Sequence, residues 1–95
     1  MILARVSGSV VSSVRADGIK GARYLLVEPC TPSGSGLSGG IVTLDPIGVS
    51  ADEMVLVSQG SSTRQTEGTR DKPVDALIIG VVDMVQENKR LVFQK

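Results

Sequence analysis

Apolar and polar residues alternate along residues 1–15, and no other feature of this sequence constrains the fold as strongly. A period of two is typical of a half-buried β-strand, because successive side chains of a strand point to opposite faces. Gly8, in the middle of the pattern, predicts a bend in this strand. The apolar face consists of Ile2, Ala4, Val6, Gly8, Val10 and Val14, and the polar face of Arg5, Ser7, Ser9, Ser13 and Arg15.

Further strand-like segments follow at short intervals, separated by turns rich in glycine, proline and charged residues. They are ARYLLVEP (22–29), IVTLD (41–45), MVLVS (54–58), VDALIIGVVDMVQ (74–86, one long strand or a strand pair) and LVFQ (91–94, a closing strand), with a turn at ENKR (87–90). Only residues 61–67 favour a helix, where Ser62 and Gln65 form a capping box. The sequence therefore predicts an all-β fold, a small closed OB-like antiparallel β-barrel with one short helix, in a single domain over residues 1–95.

The composition predicts a thin hydrophobic core. The chain has 95 residues, and 41% of them are hydrophobic, but Tyr24 and Phe93 are its only aromatic residues. A domain of this size removes only about 60–65% of its unfolded surface from water. Association of several copies would be a natural source of additional burial.

Charge and hydropathy argue against a polyanionic or membrane partner. Lysine plus arginine and aspartate plus glutamate number ten each, so there is no net positive field to attract nucleic acid or an anionic membrane. The longest apolar run, residues 76–82, is far shorter than the ~20 residues that span a bilayer. The N-terminus has no signal-peptide pattern, and Cys30 is a lone cysteine, which fits a reducing compartment. We therefore expect a soluble cytoplasmic protein with no nucleic-acid or membrane partner.

The chain contains no histidine, which excludes Ser-His-Asp and Cys-His catalysis and the common zinc sites. No catalytic residue, metal ligand or cofactor is predicted. Residues 34–39 match the dinucleotide pattern G-x-G-x-x-G, but the segment that follows them is β-branched and too short for a crossover helix. We interpret this segment as a hairpin loop.

Residues 59–68, QGSSTRQTEG, resemble a phosphate cradle or a nucleophile loop at first sight. No G-K-[ST] sequence closes them, so they are not a P-loop. Ser61 or Ser62 as a nucleophile would need a base, and only carboxylates such as Glu67 are available. Capping of the short helix is the favoured interpretation, and anion binding at the helix start with help from Arg64 is the alternative.

The OB-like fold raises a second functional hypothesis, a binding module for a small ligand or single-stranded nucleic acid. Single-stranded nucleic acid is usually bound by stacking aromatic residues in a basic groove. Two aromatic residues and zero net charge argue against that partner.

Several ordered motifs run along essentially the whole chain. The opening strand contributes Val6, Gly8, Val10 and Val11, the second strand Leu25, Leu26, Val27 and Pro29, and the turn after the third strand Asp45 and Gly48. The two most diagnostic motifs contain Gly60, Ser61, Ser62 and Arg64 in one, and Pro73, Val74, Asp75, Ala76, Ile78, Gly80, Val82 and Asp83 in the other. Together these motifs resemble the EutN/CcmL family of bacterial microcompartment vertex proteins.

The resemblance implies a non-enzymatic role. It implies a homopentamer of OB-like barrels at the vertices of a polyhedral shell, in contact with hexameric shell proteins. The two motifs would then be structural signatures, and Arg64 would hold the barrel or its neighbour in place.

The resemblance also places one turn near the five-fold axis. Gly48, Val49 and Ser50 would line a pore there. Many members of the family read Gly-Ala-Gly-x-Gly-Glu in this turn, of which residues 48–53 keep only Gly48 and Glu53.

Overall fold

The fold is a five-stranded barrel with a separate hairpin. A computed structural model describes residues 1–11, 23–60 and 76–95. Within these residues the chain forms seven strands: β1 (Ile2–Val10), β2 (Tyr24–Pro29), β3 (Ile41–Leu44), β4 (Met54–Gln59), β5 (Ala76–Val81), β6 (Met84–Glu87) and β7 (Arg90–Gln94). The first five close into a barrel in the order β1-β2-β3-β5-β4, and β6 and β7 form a two-stranded sheet of their own.

The alternation in the first strand is confirmed. Ala4 and Val6 of β1 are buried, whereas Ser7 and Ser9 are exposed. The register between β1 and β2 shifts between Val6 and Gly8, which is the predicted irregularity near Gly8.

The closed all-β barrel is confirmed, and its strand directions add one correction. Four of the neighbouring pairs are antiparallel, but β3 and β5 run parallel, with Leu44 opposite Leu77. A closed ring with an odd number of strands cannot alternate direction throughout, so at least one pair must be parallel. A fully antiparallel barrel of five strands is therefore excluded by geometry.

The C-terminal segment forms a hairpin outside the barrel. The long apolar segment is a strand pair, β5 and β6, separated by Val82 and Asp83. The prediction that residues 91–94 close the barrel is wrong, because β7 pairs with β6, whereas β1 and β4 close the barrel. The turn at residues 87–90 is confirmed, and Asn88 and Lys89 have the positive φ angles, 53° and 65°, of a tight hairpin turn.

The predicted helix at residues 61–67 lies outside the described residues, and the three described ranges contain no helix.

Residues 34–39 connect two adjacent antiparallel strands, β2 and β3, and the segment after them is a strand. The interpretation of this glycine-rich segment as a hairpin loop is thus confirmed.

The main buried cluster of the barrel is aliphatic. Its side chains come from β1, β2, β4 and β5 and from one turn residue, Val49, and β3 adds the partly buried Ile41 against it. The interior cluster consists of Ala4, Val6, Leu25, Val27, Val49, Val55, Val57, Ala76 and Ile78.

A second apolar cluster lies on the outside of β1 and β4. Leu3, Met54 and Leu56 alternate with the interior residues of these strands, so they point away from the barrel axis. Val85 and Phe93 of the hairpin pack against this cluster, together with Cys30 and Val82.

The loop after β2 fits closely over this cluster and requires a glycine. Gly34 has a φ of 95°, and a β-carbon there would lie 3.1 Å from Arg5 Nη1 and 3.5 Å from Phe93 Cδ1. A larger residue would be strained in its backbone and crowded by its neighbours.

Candidate functional site

The turn after β3 is organised around one buried carboxylate, that of Asp45. Its Oδ1 accepts hydrogen bonds from the backbone N–H groups of Ile47 and Gly48, each at 3.0 Å. Its Oδ2 accepts a third from the N–H of Val49, at 2.8 Å. Bonds from N–H groups to a carboxylate are stronger than neutral ones, so this side chain fixes the shape of residues 45–49.

Arg23, the residue just before β2, contacts the same turn. Its Nη1 lies 3.5 Å from Asp45 Oδ2, and its Nη2 donates a hydrogen bond of 3.1 Å to the carbonyl of Val49. The backbone N–H of Asp45 donates in return to the carbonyl of Arg23, at 2.8 Å. Because the arginine side chain is half exposed, its charge is screened by water, and its contribution is mainly the orientation of the turn.

The three residues predicted to line a pore have different environments. Val49 is buried among the interior residues of the barrel, whereas Gly48 and Ser50 are exposed. Gly48 has a φ of 91°, a conformation that favours glycine. The Val49 side chain is therefore part of the core, and only Gly48 and Ser50 remain available to line an opening.

The next turn is attached to β1 through the backbone of Asp52 and Glu53. The N–H of Asp52 donates to the carbonyl of Val6, and the N–H of Val6 donates to the carbonyl of Glu53, both at 3.0 Å. Arg5 Nη2 donates to the carbonyl of Asp52 at 2.8 Å. Asp52 has a φ of 66°, and it occupies a position where the family pattern has glycine.

Substitutions of Asp52 are expected to separate according to backbone conformation. Asp52→Val should lower the free energy of unfolding by about 1–2 kcal/mol, because a β-branched residue is strained at positive φ. Asp52→Gly should leave stability within about 1 kcal/mol of the original chain, because glycine adopts this conformation freely but is more flexible when unfolded. Urea unfolding of the two variants is the measurement, and equal stability would contradict the prediction. Both variants keep the backbone contacts of residue 52, so the comparison isolates the effect of φ.

Lys95, which follows β7, connects the hairpin to the turn that contains Glu53. Lys95 Nζ lies 3.2 Å from Glu53 Oε1, and the N–H of Lys95 donates to the carbonyl of Asp83 at 2.9 Å. Glu53, the glutamate that this chain shares with the family pattern, thus contacts the end of the hairpin.

One described residue of each diagnostic motif lies at the same end of the barrel. Gln59 pairs with Ala76, so Gly60 and the start of β5 are neighbours. The other described motif residues lie farther along the chain: Gly80 of β5 lies opposite Leu56 of β4, and Asp83 is exposed at the base of the hairpin. The remaining motif residues lie outside the described residues, together with the capping and anion-binding hypotheses for residues 61–67: Ser61, Ser62, Arg64, Pro73, Val74 and Asp75.

Cys30 is the single cysteine of the chain, and its reactivity depends on its environment. Cys30 is buried, and burial raises the pKa of its thiol above the ordinary value, although the positive charge of Arg5 acts in the opposite direction. Its thiolate is therefore scarce at neutral pH.

Among residues 1–11, 23–60 and 76–95, no three His, Cys, Asp or Glu side chains form a group that could hold a metal ion. The same residues contain no helix long and apolar enough to cross a membrane.

An open groove lies beside β1 and β2. Val6, Ser9, Arg23, Leu25 and Ala51 are among the residues that line it. The guanidinium of Arg23 already contacts the Asp45 carboxylate and the carbonyl of Val49.

Sequence reasoning did not single out Arg23 or Lys95 for a structural role. The family resemblance includes Asp45 and Gly48, but it does not predict the burial of the carboxylate. The spacing of Asp45 from Gly48 was the available signal, because an aspartate often accepts hydrogen bonds from N–H groups that follow it in a turn.

Comparison with known proteins identifies the family. The family described as ethanolamine utilisation protein EutN/carboxysome matches residues 1–83. The carboxysome shell vertex protein CcmL of Gloeobacter violaceus is 38% identical over 95 residues, which are 100% of this chain and 95% of that protein.

Solved structures agree with the sequence comparison. CcmL of Nostoc sp. PCC 7120 superposes with a TM-score of 0.94 at 34% identity, with 100% of both chains covered. A pentameric microcompartment shell protein, GrpN from Rhodospirillum rubrum, superposes with a TM-score of 0.82 at 33% identity over 92% of this chain and 99% of its own. The resemblance drawn from the sequence motifs is confirmed, and the chain belongs to the EutN/CcmL family.

Proposed function

We propose that this protein is a structural shell protein of a cytoplasmic bacterial microcompartment, where homopentamers occupy the five-fold vertices and close the polyhedral shell. The observation that carries the proposal is the full-length similarity to proteins named as shell vertex proteins, including CcmL of Gloeobacter violaceus. A solved relative of similar fold, GrpN, is described as pentameric.

The geometry of a closed shell explains why such a protein is needed. A flat layer of hexagonal units cannot close on itself, and pentagonal units introduce the curvature that closes it. A single 95-residue chain that folds as one vertex domain is suited to that role, because a small barrel with an aliphatic interior gains burial by assembling. The proposal assigns assembly to this protein and no catalytic turnover.

We further propose that the pentamer contacts hexameric shell proteins and binds neither nucleic acid nor membrane. The zero net charge of the chain supports the absence of a polyanionic partner. In this assignment the motif residues Gly60 and Arg64 are structural, Arg64 holds the barrel or a neighbouring copy, and Gly48 and Ser50 line the axial opening.

The first test is the mass of the purified protein in solution. Native mass spectrometry at micromolar concentration is expected to show a species of five times the 9.9 kDa chain mass. A stable monomer would contradict the proposal.

The second test is deletion of the gene in its host, where the shells should remain unsealed or become elongated. Closed shells of normal shape in the deletion strain would refute the vertex role.

A further inference from the structure

The turn between β3 and β4 combines one buried anchor with two exposed residues. Val49 packs with the interior residues of the barrel, whereas its neighbours Gly48 and Ser50 are exposed. The side chain of Val49 fixes one point of the turn, but it does not determine how the backbone runs from the end of β3 to Gly48. Glycine is the residue type that restricts its own backbone least. A contact outside the core must therefore give this part of the turn a single shape.

The carboxylate of Asp45 provides that contact. Its side chain is completely buried, and the backbone N–H groups of three consecutive residues converge on its two oxygens. The longest of these hydrogen bonds measures 3.0 Å, and the bond from the N–H of Val49 is itself buried. A buried N–H group without an acceptor is costly. Without the carboxylate, the turn would have to rearrange until these groups found other acceptors.

The site around the carboxylate is formed entirely by other residues. Arg23 lies beside it, with Nη1 3.5 Å from Asp45 Oδ2 and Nη2 bonded to the carbonyl of Val49. Successive backbone N–H groups that point into one concavity bind anions, and hydrogen bonds to an ionised acceptor are stronger than neutral ones. The donors therefore recognise the carboxylate group, whether or not it is joined to the chain.

We infer that Asp45 is the positioning residue of the axial opening, because its carboxylate holds the turn in the shape that presents Gly48 and Ser50. The inference rests on the proposed function, which places these two residues at the opening. It also predicts a property that a residue needed only for packing would lack. A small free carboxylate should replace the side chain, since every donor of the site remains when residue 45 is changed.

The test uses Asp45→Gly with sodium formate as the probe. Glycine removes the carboxyl group and the β-carbon, which leaves room for formate, the smallest carboxylate. The melting temperature of this variant should be at least about 4 °C higher in formate than in sodium chloride, both at about 0.5 M, because a ligand that binds only the folded state stabilises it. The original chain should show a difference of about 1 °C or less, because its own side chain fills the site.

Asp83→Gly is the matched control. Asp83 is exposed, and its contact with Lys95 uses only the backbone carbonyl, so this variant loses the same chemical group outside the site. Its melting temperature should respond to formate as that of the original chain does. A response of Asp45→Gly no larger than that of this control would overturn the inference.

The shape of the turn gives a second measurement, on a variant that keeps the volume of the side chain. In Asp45→Asn an NH₂ group replaces the oxygen that accepts from Val49. A crystal structure of this variant should show Val49 still in the core and the backbone of Gly48 displaced by about 1 Å or more, because two donors cannot remain in contact in a buried site. An unchanged turn would overturn the inference, even if the glycine variant does not fold.

The outcomes separate this inference from the proposed function. A pentamer that shows neither the formate response nor the displaced turn would overturn the positioning role and leave the vertex role intact. A monomeric chain that shows both would overturn the vertex role. It would also overturn the assignment to an axial opening, since the carboxylate would then hold a turn that lines none.

Discussion

Replacing Asp45 with asparagine is expected to lower the free energy of unfolding by about 2–3 kcal/mol at pH 7. The amide has the shape of the carboxylate, so no cavity forms. It keeps one oxygen for the N–H groups of Ile47 and Gly48, but it presents an NH₂ group where Oδ2 now accepts from Val49. Two donors then face each other in a buried site, and the attraction to Arg23 is lost.

Urea unfolding at a fixed protomer concentration is the measurement, because the stability of an oligomer depends on concentration. Glu87→Gln is the matched control, since it removes the same charge with the same change of atoms at an exposed position. The control should change stability by no more than about 0.5 kcal/mol. A loss for Asp45→Asn no larger than that of the control would show that the turn does not depend on the carboxylate.

Ile78→Ala is expected to cost about 3–4 kcal/mol, which is the larger of the two effects. Ile78 is fully buried in the barrel interior opposite Val57, and its truncation leaves a cavity that a closed ring of strands cannot easily collapse. A small domain has about 5–10 kcal/mol of stability in total, so this loss should lower the melting temperature by more than 10 °C or so.

The next residue provides the control for the cavity. Ile79 is the same residue type on the same strand but is 39% exposed. Ile79→Ala should cost about 1 kcal/mol or less, because most of the removed surface already contacts water. Thermal unfolding monitored by circular dichroism would compare them, and similar losses for both variants would contradict the assignment of Ile78 to the interior.

Local patterns were sufficient to predict the strands but not all of their partners. Period-two alternation predicted β1 and its irregularity at Gly8, and turn residues separated the other strands. The apolar residues 91–94 form a strand as predicted, but this strand does not close the barrel. An apolar segment shows that a strand has a buried face, but it does not show which sheet covers that face. In this chain the hairpin packs on the outside of the barrel, where Leu3, Met54 and Leu56 form the second apolar surface.

The features of the site that sequence reasoning missed depend on contacts between distant parts of the chain. Nothing in the residues around Lys95 indicates that it reaches Glu53, and nothing around Arg23 indicates that it reaches Asp45. The resemblance placed Val49 at a pore, whereas the fold uses its side chain to fill the barrel. A single apolar residue between glycine and serine has too little periodicity around it to predict which way it points.

The parallel pair of β3 and β5 determines where the barrel is joined most weakly. Leu44 and Leu77 are the only described positions at which these strands pair, whereas every other neighbouring pair in the described barrel is aligned at four or more positions. This pair should therefore separate first in a local fluctuation of the native state. The barrel thus has a seam at its one parallel pair, and an odd number of strands makes such a pair unavoidable.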